Sequence, residues 1–187
     1  RQEMRLSGDL PVLLVMGGSK GAHSINNALT AILLEVLQIA QVIHITGKQD
    51  FAQAEQALAN LPGTLAGNYH PHPYLHDDMG AALASADLAV ARAGASTLGE
   101  FPQFGLPAIL VPYPYAWRYQ KVNAEFLVNA RAAEMITDGD LSTRLLPALQ
   151  RLLKDDNARH AMRNAMQSLG QPQASQAIAN LVRELAA

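Results

Sequence analysis

The stretch Val12-Leu13-Leu14-Val15-Met16-Gly17-Gly18-Ser19-Lys20-Gly21-Ala22 decides the fold. Its first five residues are continuously apolar, the pattern of a parallel strand buried on both faces. The glycines that follow permit positive φ and close backbone approach. A helix is then expected from about Ser24 to Ile39. The same order recurs along the chain. Further strands are predicted at Val42–Thr46, within Thr64–His72, and at Leu88–Ala91, Ala108–Val111 and Ala133–Ile136. Helices are expected over Phe51–Ala59, over Asp78–Ser85, from Ser96, and over Tyr119–Asn129. From Leu141 onward the chain reads as three helical pieces broken near Asp155 and at Pro172. This alternation predicts an α/β, Rossmann-like open sheet of six parallel strands with helices on both faces. Right-handed crossovers place the strand-to-helix turns on the carboxyl edge, where ligands of such sheets bind.

Composition agrees with one such domain over residues 1–187. The chain has 187 residues, 49% of them hydrophobic and 16% charged, which excludes a disordered chain. The net charge of −2 lacks the basic excess of a nucleic-acid-binding domain. There are no cysteines, so disulfides and thiolate metal sites are excluded. No apolar run has the length of a spanning helix, and Arg1–Asp9 is too polar for a signal peptide. The expectation is a soluble intracellular domain, cut from a longer protein.

Three turns could carry chemistry. Gly17–Ala22 opens a helix, whose backbone N–H groups would favour a phosphate; the same glycines could serve packing alone. Its spacing matches neither a Walker A loop nor Gly-x-Gly-x-x-Gly. Arg92–Glu100 repeats the arrangement after the strand ending at Ala91. There, Ser96 or Thr97 could cap the helix or help hold a second phosphate. Glu100, one turn further on, could accept hydrogen bonds from both hydroxyls of a ribose. Pro102 implies that this helix is short or kinked. The third turn, Pro112–Asn123, is aromatic and amide-rich, a composition suited to a sugar. Gln120 and Asn123 share one helix face there. His70, His72 and His76 lack the ligand spacing of a metal site. No Ser-His-Asp pattern and no pair of catalytic carboxylates is present.

Together and in this order the three turns resemble the C-terminal half of the MurG family of bacterial peptidoglycan glycosyltransferases. That family carries Gly-Gly-Ser-Gln-Gly-Ala, and Gly17–Ala22 matches it with Lys20 in the Gln position. It carries Ser-Arg-Ala-Gly-Ala-x-Thr-x-x-Glu, and Ala91–Glu100 matches with Ala91 replacing Ser. It carries His-Gln-x-x-Asn-Ala after a proline-rich strand end, and Tyr119–Ala124 stands there with Tyr119 replacing His. The resemblance runs from about Pro11 to the end.

The resemblance implies the donor-binding C-terminal domain of a two-domain GT-B enzyme. Such an enzyme transfers N-acetylglucosamine from its UDP donor to undecaprenyl-pyrophosphoryl-muramyl-pentapeptide, with inversion and without a metal or other cofactor. By the same resemblance, Gly18, Ser19 and Lys20 face the diphosphate or sugar, and Ala95, Ser96 and Thr97 present a helix N-terminus to the diphosphate. Glu100 holds the ribose, Gln120 contacts sugar hydroxyls, and Asn123 braces that loop. The backbone near Tyr74 and Leu75 reads the uracil edge. The general base, the lipid acceptor site and peripheral contact with the cytoplasmic face of the membrane would come from an N-terminal domain absent here. Residues 172–187 would form a helix packing on that domain through Ile178, Leu181 and Leu185. Other readings are a related UDP-sugar enzyme, either a glycolipid glycosyltransferase or an epimerase, and a non-catalytic nucleotide-sugar-binding module.

Overall fold

Six short strands, all parallel, form one sheet in the order β3-β2-β1-β4-β5-β6. They are β1 (Val12–Met16), β2 (Gln41–Ile45), β3 (Tyr69–His72), β4 (Leu88–Ala91), β5 (Ala108–Leu110) and β6 (Ala133–Met135). The structure is a computed structural model that describes residues 1–6, 8, 10–18, 21–115 and 119–186. Strand order reverses between β1 and β4, which pair through Leu13↔Leu88 to Met16↔Ala91. The crevice beyond the carboxyl ends of these two strands is where an open α/β sheet takes a ligand.

Continuous apolar strands fill two separate cores, because successive side chains point to opposite faces. Leu13, Val15, Val42, Leu88, Val90 and Ile109 pack on one face against α1 (His23–Ala31), α2 (Leu33–Leu37) and α8 (Leu141–Lys154). Val12, Leu14, Ile43, Ala89 and Leu110 pack on the other. There they meet α5 (Met79–Ser85), α6 (Ala95–Phe104), α7 (Tyr119–Asn129) and Met166 of α9 (Asp156–Gln167). A short α3 (Phe51–Ala59) follows β2, and Ala54 joins the first core.

Several boundaries differ from the sequence reading. The helix expected over Ser24–Ile39 is two helices, separated at Ile32 with φ −119°. Just before the break, the Thr30 hydroxyl donates to the Asn26 carbonyl at 2.9 Å, a back-bond that bends helices. The third strand is confined to Tyr69–His72, and Gly63–Ala66 ahead of it form a turn of helix, α4. Neither Ser96 nor Thr97 caps α6, since Gly94 is the N-cap. Pro102 lies inside α6, which ends two residues later, at Phe104. Gly105 (φ +56°) closes it by donating its N–H to the Phe101 and Pro102 carbonyls. Asp155 ends α8 and caps α9, accepting from the Ala158 N–H at 2.9 Å. The last helix, α10 (Ala174–Leu185), buries no residue and exposes Ile178, Leu181, Val182 and Leu185. No helix among the described residues is long and apolar enough to cross a membrane.

Candidate donor-binding site

A cavity of about 790 Å³ opens at the carboxyl edge, over the β1/β4 crevice. Its walls are the turns that follow β1, β2, β4, β5 and β6.

The first turn needs its glycines for space. Gly18 and Gly21 form an isolated bridge, with the Gly21 N–H donating to the Gly18 carbonyl at 2.7 Å. A Cβ on Gly17 would lie 2.4 Å from the Gly21 carbonyl carbon. Gly21 has φ +80°, and a Cβ there would lie 2.3 Å from the Thr46 oxygen. The turn is thus pressed against the end of β2, and α1 starts immediately beyond it. Among the described residues, neither α1 nor α6 has a side-chain cap on its first N–H groups. Both begin at the cavity wall, so their first amides and dipoles are available to an anion.

A buried polar network fixes the far side of the same turn. Asn26 donates through Nδ2 to the Thr46 carbonyl (2.8 Å) and to Asp50 (2.7 Å), so its Oδ1 accepts from His44 Nε2 (3.0 Å). His44 Nδ1 therefore accepts from the Tyr69 hydroxyl at 2.8 Å, which selects the neutral Nε2–H tautomer. Burial pushes His44 down to about 4, against the opposing pull of Asp50. Burial disfavours the Asp50 carboxylate, yet hydrogen bonds from Asn26 and His23 hold its pKa below the ordinary value.

His44 gives a pH prediction with a definite sign. Its native pKa is depressed, so its stabilising effect is complete above pH 6.5 and is lost as pH falls towards about 4. Urea unfolding should show a loss of about 2 kcal/mol between pH 7 and pH 5 from this group. Burial lowers His70 and His72 as well, and they add in the same direction. In His44→Gln the slope should shrink by that amount; an unchanged slope would show that His44 does not titrate this way.

Arg92 organises the other half of the cavity. Its side chain is 10% exposed and pairs with Asp138, 25% exposed, at 2.5 Å. It donates to the Val111 carbonyl (3.2 Å) and the Ser24 hydroxyl (2.7 Å), and its guanidinium lies 5.2 Å from the Tyr113 ring centre. Ser24 in turn donates to Asp138 at 2.8 Å. One cation thus joins the turns after β1, β4, β5 and β6. Sequence reading assigned no role to Arg92, Ser24 or Asp138. The available signal was position, because each lies just beyond a strand or at a helix start on the carboxyl edge.

The sequence-predicted site residues are only partly gathered here. Gly18, Ser96, Thr97 and Gln120 line the cavity. Ser19 and Lys20 lie outside the described residues. Thr97 is buried and its hydroxyl donates to the Arg92 carbonyl at 3.1 Å, so that proton is already committed. Gln120 accepts from the Tyr113 N–H at 2.8 Å, which commits its oxygen to the loop and leaves its NH₂ without a partner among the described residues. Asn123 donates to the Ala93 carbonyl at 3.0 Å and ties α7 to the turn after β4. Ala95 is exposed at the start of α6 and Glu100 half-buried one turn further, both beside the cavity rather than in its lining. Tyr74 and Leu75 are also outside the lining. Tyr74 is exposed and packs on His76 at 4.6 Å, while Leu75 is buried in the second core. His70 and His72 share a face of β3, and their buried Nε2 atoms have no hydrogen-bond partner among the described residues. No group of three potential metal ligands occurs among the described residues.

An open parallel sheet with its cavity at this crevice is a Rossmann-like fold, and the comparisons with known proteins make it the C-terminal domain of a GT-B glycosyltransferase. The model for the glycosyltransferase family 28 C-terminal domain matches residues 12–180, and the chain belongs to that family. The chain is 42% identical over 200 residues to UDP-N-acetylglucosamine–N-acetylmuramyl-(pentapeptide) pyrophosphoryl-undecaprenol N-acetylglucosamine transferase of Roseiflexus sp., covering 96% of this chain and 45% of that protein. It is 39% identical to the protein of the same name in Exiguobacterium sp., covering 99% and 50%. Among solved structures, MurG of Acinetobacter baumannii superposes with a TM-score of 0.80 at 29% identity, covering 98% of this chain and 52% of that one. The chain therefore corresponds to the C-terminal half of MurG, and it spans about half the length of the curated relatives it matches.

Proposed function

We propose that this chain is the donor-binding half of an inverting glycosyltransferase. The enzyme would move N-acetylglucosamine from UDP to an undecaprenyl-pyrophosphoryl-muramyl-pentapeptide at the cytoplasmic membrane face. One observation carries the reading: in a chain of the glycosyltransferase family 28 C-terminal domain, the cavity at the β1/β4 crevice is walled by the three turns that carry the resemblance. The uncapped starts of α1 and α6 supply N–H groups and positive dipole ends for a diphosphate. As the sugar–phosphate bond breaks, charge grows on UDP, and fixed amides stabilise it without reorganisation and without a metal. Gly18, Ser19 and Lys20 would act on the same diphosphate, beside Ala95, Ser96 and Thr97. Glu100 would accept from the ribose hydroxyls, and the Gln120 NH₂ would donate to the sugar. Asn123 would hold the α7 start in place. The backbone at Tyr74 and Leu75 would meet the uracil edge at the rim.

The general base and the acceptor site would lie in the half of the relatives' length that this chain does not span. The exposed stripe of α10 would pack on that half, and its amides should then exchange more slowly in the complete protein than in this chain alone.

The test is calorimetric titration with UDP-N-acetylglucosamine in EDTA, with UDP-galactose and UDP as comparisons. Selective binding is expected, without transfer to a lipid acceptor. Glu100→Ala should weaken all three ligands by roughly tenfold, the scale of a charge-assisted hydrogen bond. Binding that requires a divalent metal, or that ignores Glu100→Ala, would remove the corresponding part of the proposal.

A further inference from the structure

We propose that Tyr113 and Tyr115 form an aromatic platform on which the pyranose ring of the donor lies, and that they set sugar affinity as distinct from nucleotide affinity. This rests on the donor-binding reading above and goes beyond it, since neither tyrosine has a role in that reading.

The two rings are large, apolar and exposed, Tyr113 by 47% and Tyr115 by 80%. Both stand on the wall of the cavity. Their centroids are 5.6 Å apart at 69°, an edge-to-face pair that gives each ring a fixed neighbour. Tyr113 is held from two further directions. Its N–H donates to Gln120, and Arg92 covers its ring at 5.2 Å. Arg92 cannot drift, because Asp138, Ser24 and the Val111 carbonyl occupy its donors. Tyr113 is therefore held in place before any ligand arrives, the state in which an exposed aromatic gives most affinity, and Tyr115 packs its ring against it.

Chemistry selects the part of the ligand that meets it. Aromatic faces carry negative charge density, so they repel a diphosphate. A pyranose presents C–H groups with a slight positive charge on one face and hydroxyls around its edge. The rings fit that face, and the adjacent Gln120 NH₂, with its oxygen already used, fits the edge. Position agrees, since Tyr115 is more exposed than Tyr113 on the cavity wall. The transferred sugar must lie at the open rim, where an acceptor can reach its anomeric carbon. The glycine turn Gly17–Ala22 lies away from that rim, with Gly21 against Thr46 at the end of β2.

The experiment compares UDP and UDP-N-acetylglucosamine binding by calorimetry for the unaltered chain, Tyr115→Ala and Tyr115→Phe. Tyr115 is exposed, so its removal leaves the core intact, which an unchanged melting temperature verifies. Expected is a loss of about tenfold in UDP-N-acetylglucosamine affinity in Tyr115→Ala, with UDP affinity unchanged and Tyr115→Phe close to normal. Equal UDP-N-acetylglucosamine affinity in Tyr115→Ala and the unaltered chain would overturn the platform. Equal losses for both ligands would overturn it too, placing the ring against the nucleotide. UDP binding by the unaltered chain in either case leaves the donor-site reading standing. No UDP binding by the unaltered chain would end that reading and the platform with it.

Discussion

Gly21→Ala is expected to lower the melting temperature by about 8–16 °C, the equivalent of about 4 kcal/mol in a domain of this size. Two costs combine. A left-handed conformation strains any residue with a Cβ, by about 1–2 kcal/mol, and Gly21 sits at φ +80°. The new methyl would also approach the Thr46 carbonyl oxygen to 2.3 Å. That oxygen belongs to the backbone and already accepts from buried Asn26, so neither partner can move aside cheaply. Gly18→Ala is the control. A Cβ there meets nothing within 4 Å, so its stability should stay within about 1 kcal/mol of the unaltered chain. Differential scanning calorimetry of the two variants checks both. Equal melting temperatures would mean that the turn relaxes and that its glycines are not required for space.

Arg92→Met should cost about 3 kcal/mol and should weaken donor binding as well. Methionine keeps much of the side-chain volume but leaves Asp138, three-quarters covered, facing only the Ser24 hydroxyl. It also removes a donor from the Val111 carbonyl and the support beneath Tyr113. Arg92→Lys should recover little, since one ammonium cannot hold Asp138, Ser24 and Val111 in a planar fork. Asp138→Asn should cost less, and the double variant Arg92→Met/Asp138→Asn should be more stable than additivity predicts by about 1–3 kcal/mol. Urea denaturation of the four proteins measures this coupling. Additive losses would mean that Arg92 and Asp138 act independently.

These two sites show what the amino-acid sequence disclosed. The strands were legible to within a residue or two at most positions, because parallel strands buried on both faces read as unbroken apolar runs such as Val12–Met16. The turns were legible because Gly17 and Gly21 stand where a Cβ has no room. The break at Ile32 was hidden, since it depends on which carbonyl the Thr30 hydroxyl takes. The short helix Gly63–Ala66 was hidden too, since neither its length nor its pattern separates it from a loop. Arg92 and Asp138 are 46 residues apart, and their meeting is a property of strand order, with β4 and β6 flanking β5. The committed atoms of Thr97 and Gln120 were likewise invisible, because each partner is a backbone group of a turn whose path the sequence alone does not fix.

The tyrosines sit on a part of the cavity that the core does not use. Gly17, Gly21 and Thr97 are locked by backbone contacts, whereas Tyr115 projects from the fold and buries little. The two ends of the cavity are therefore unequally free to change: substitutions at Gly17 or Gly21 should damage the fold, and substitutions at Tyr115 should not. On the proposed platform, a lineage, or an engineer, could exchange the rim residues to suit a different hexose while the glycine turn stays as it is. One inherited scaffold would in this way serve many sugars, with the innovation confined to a few exposed side chains.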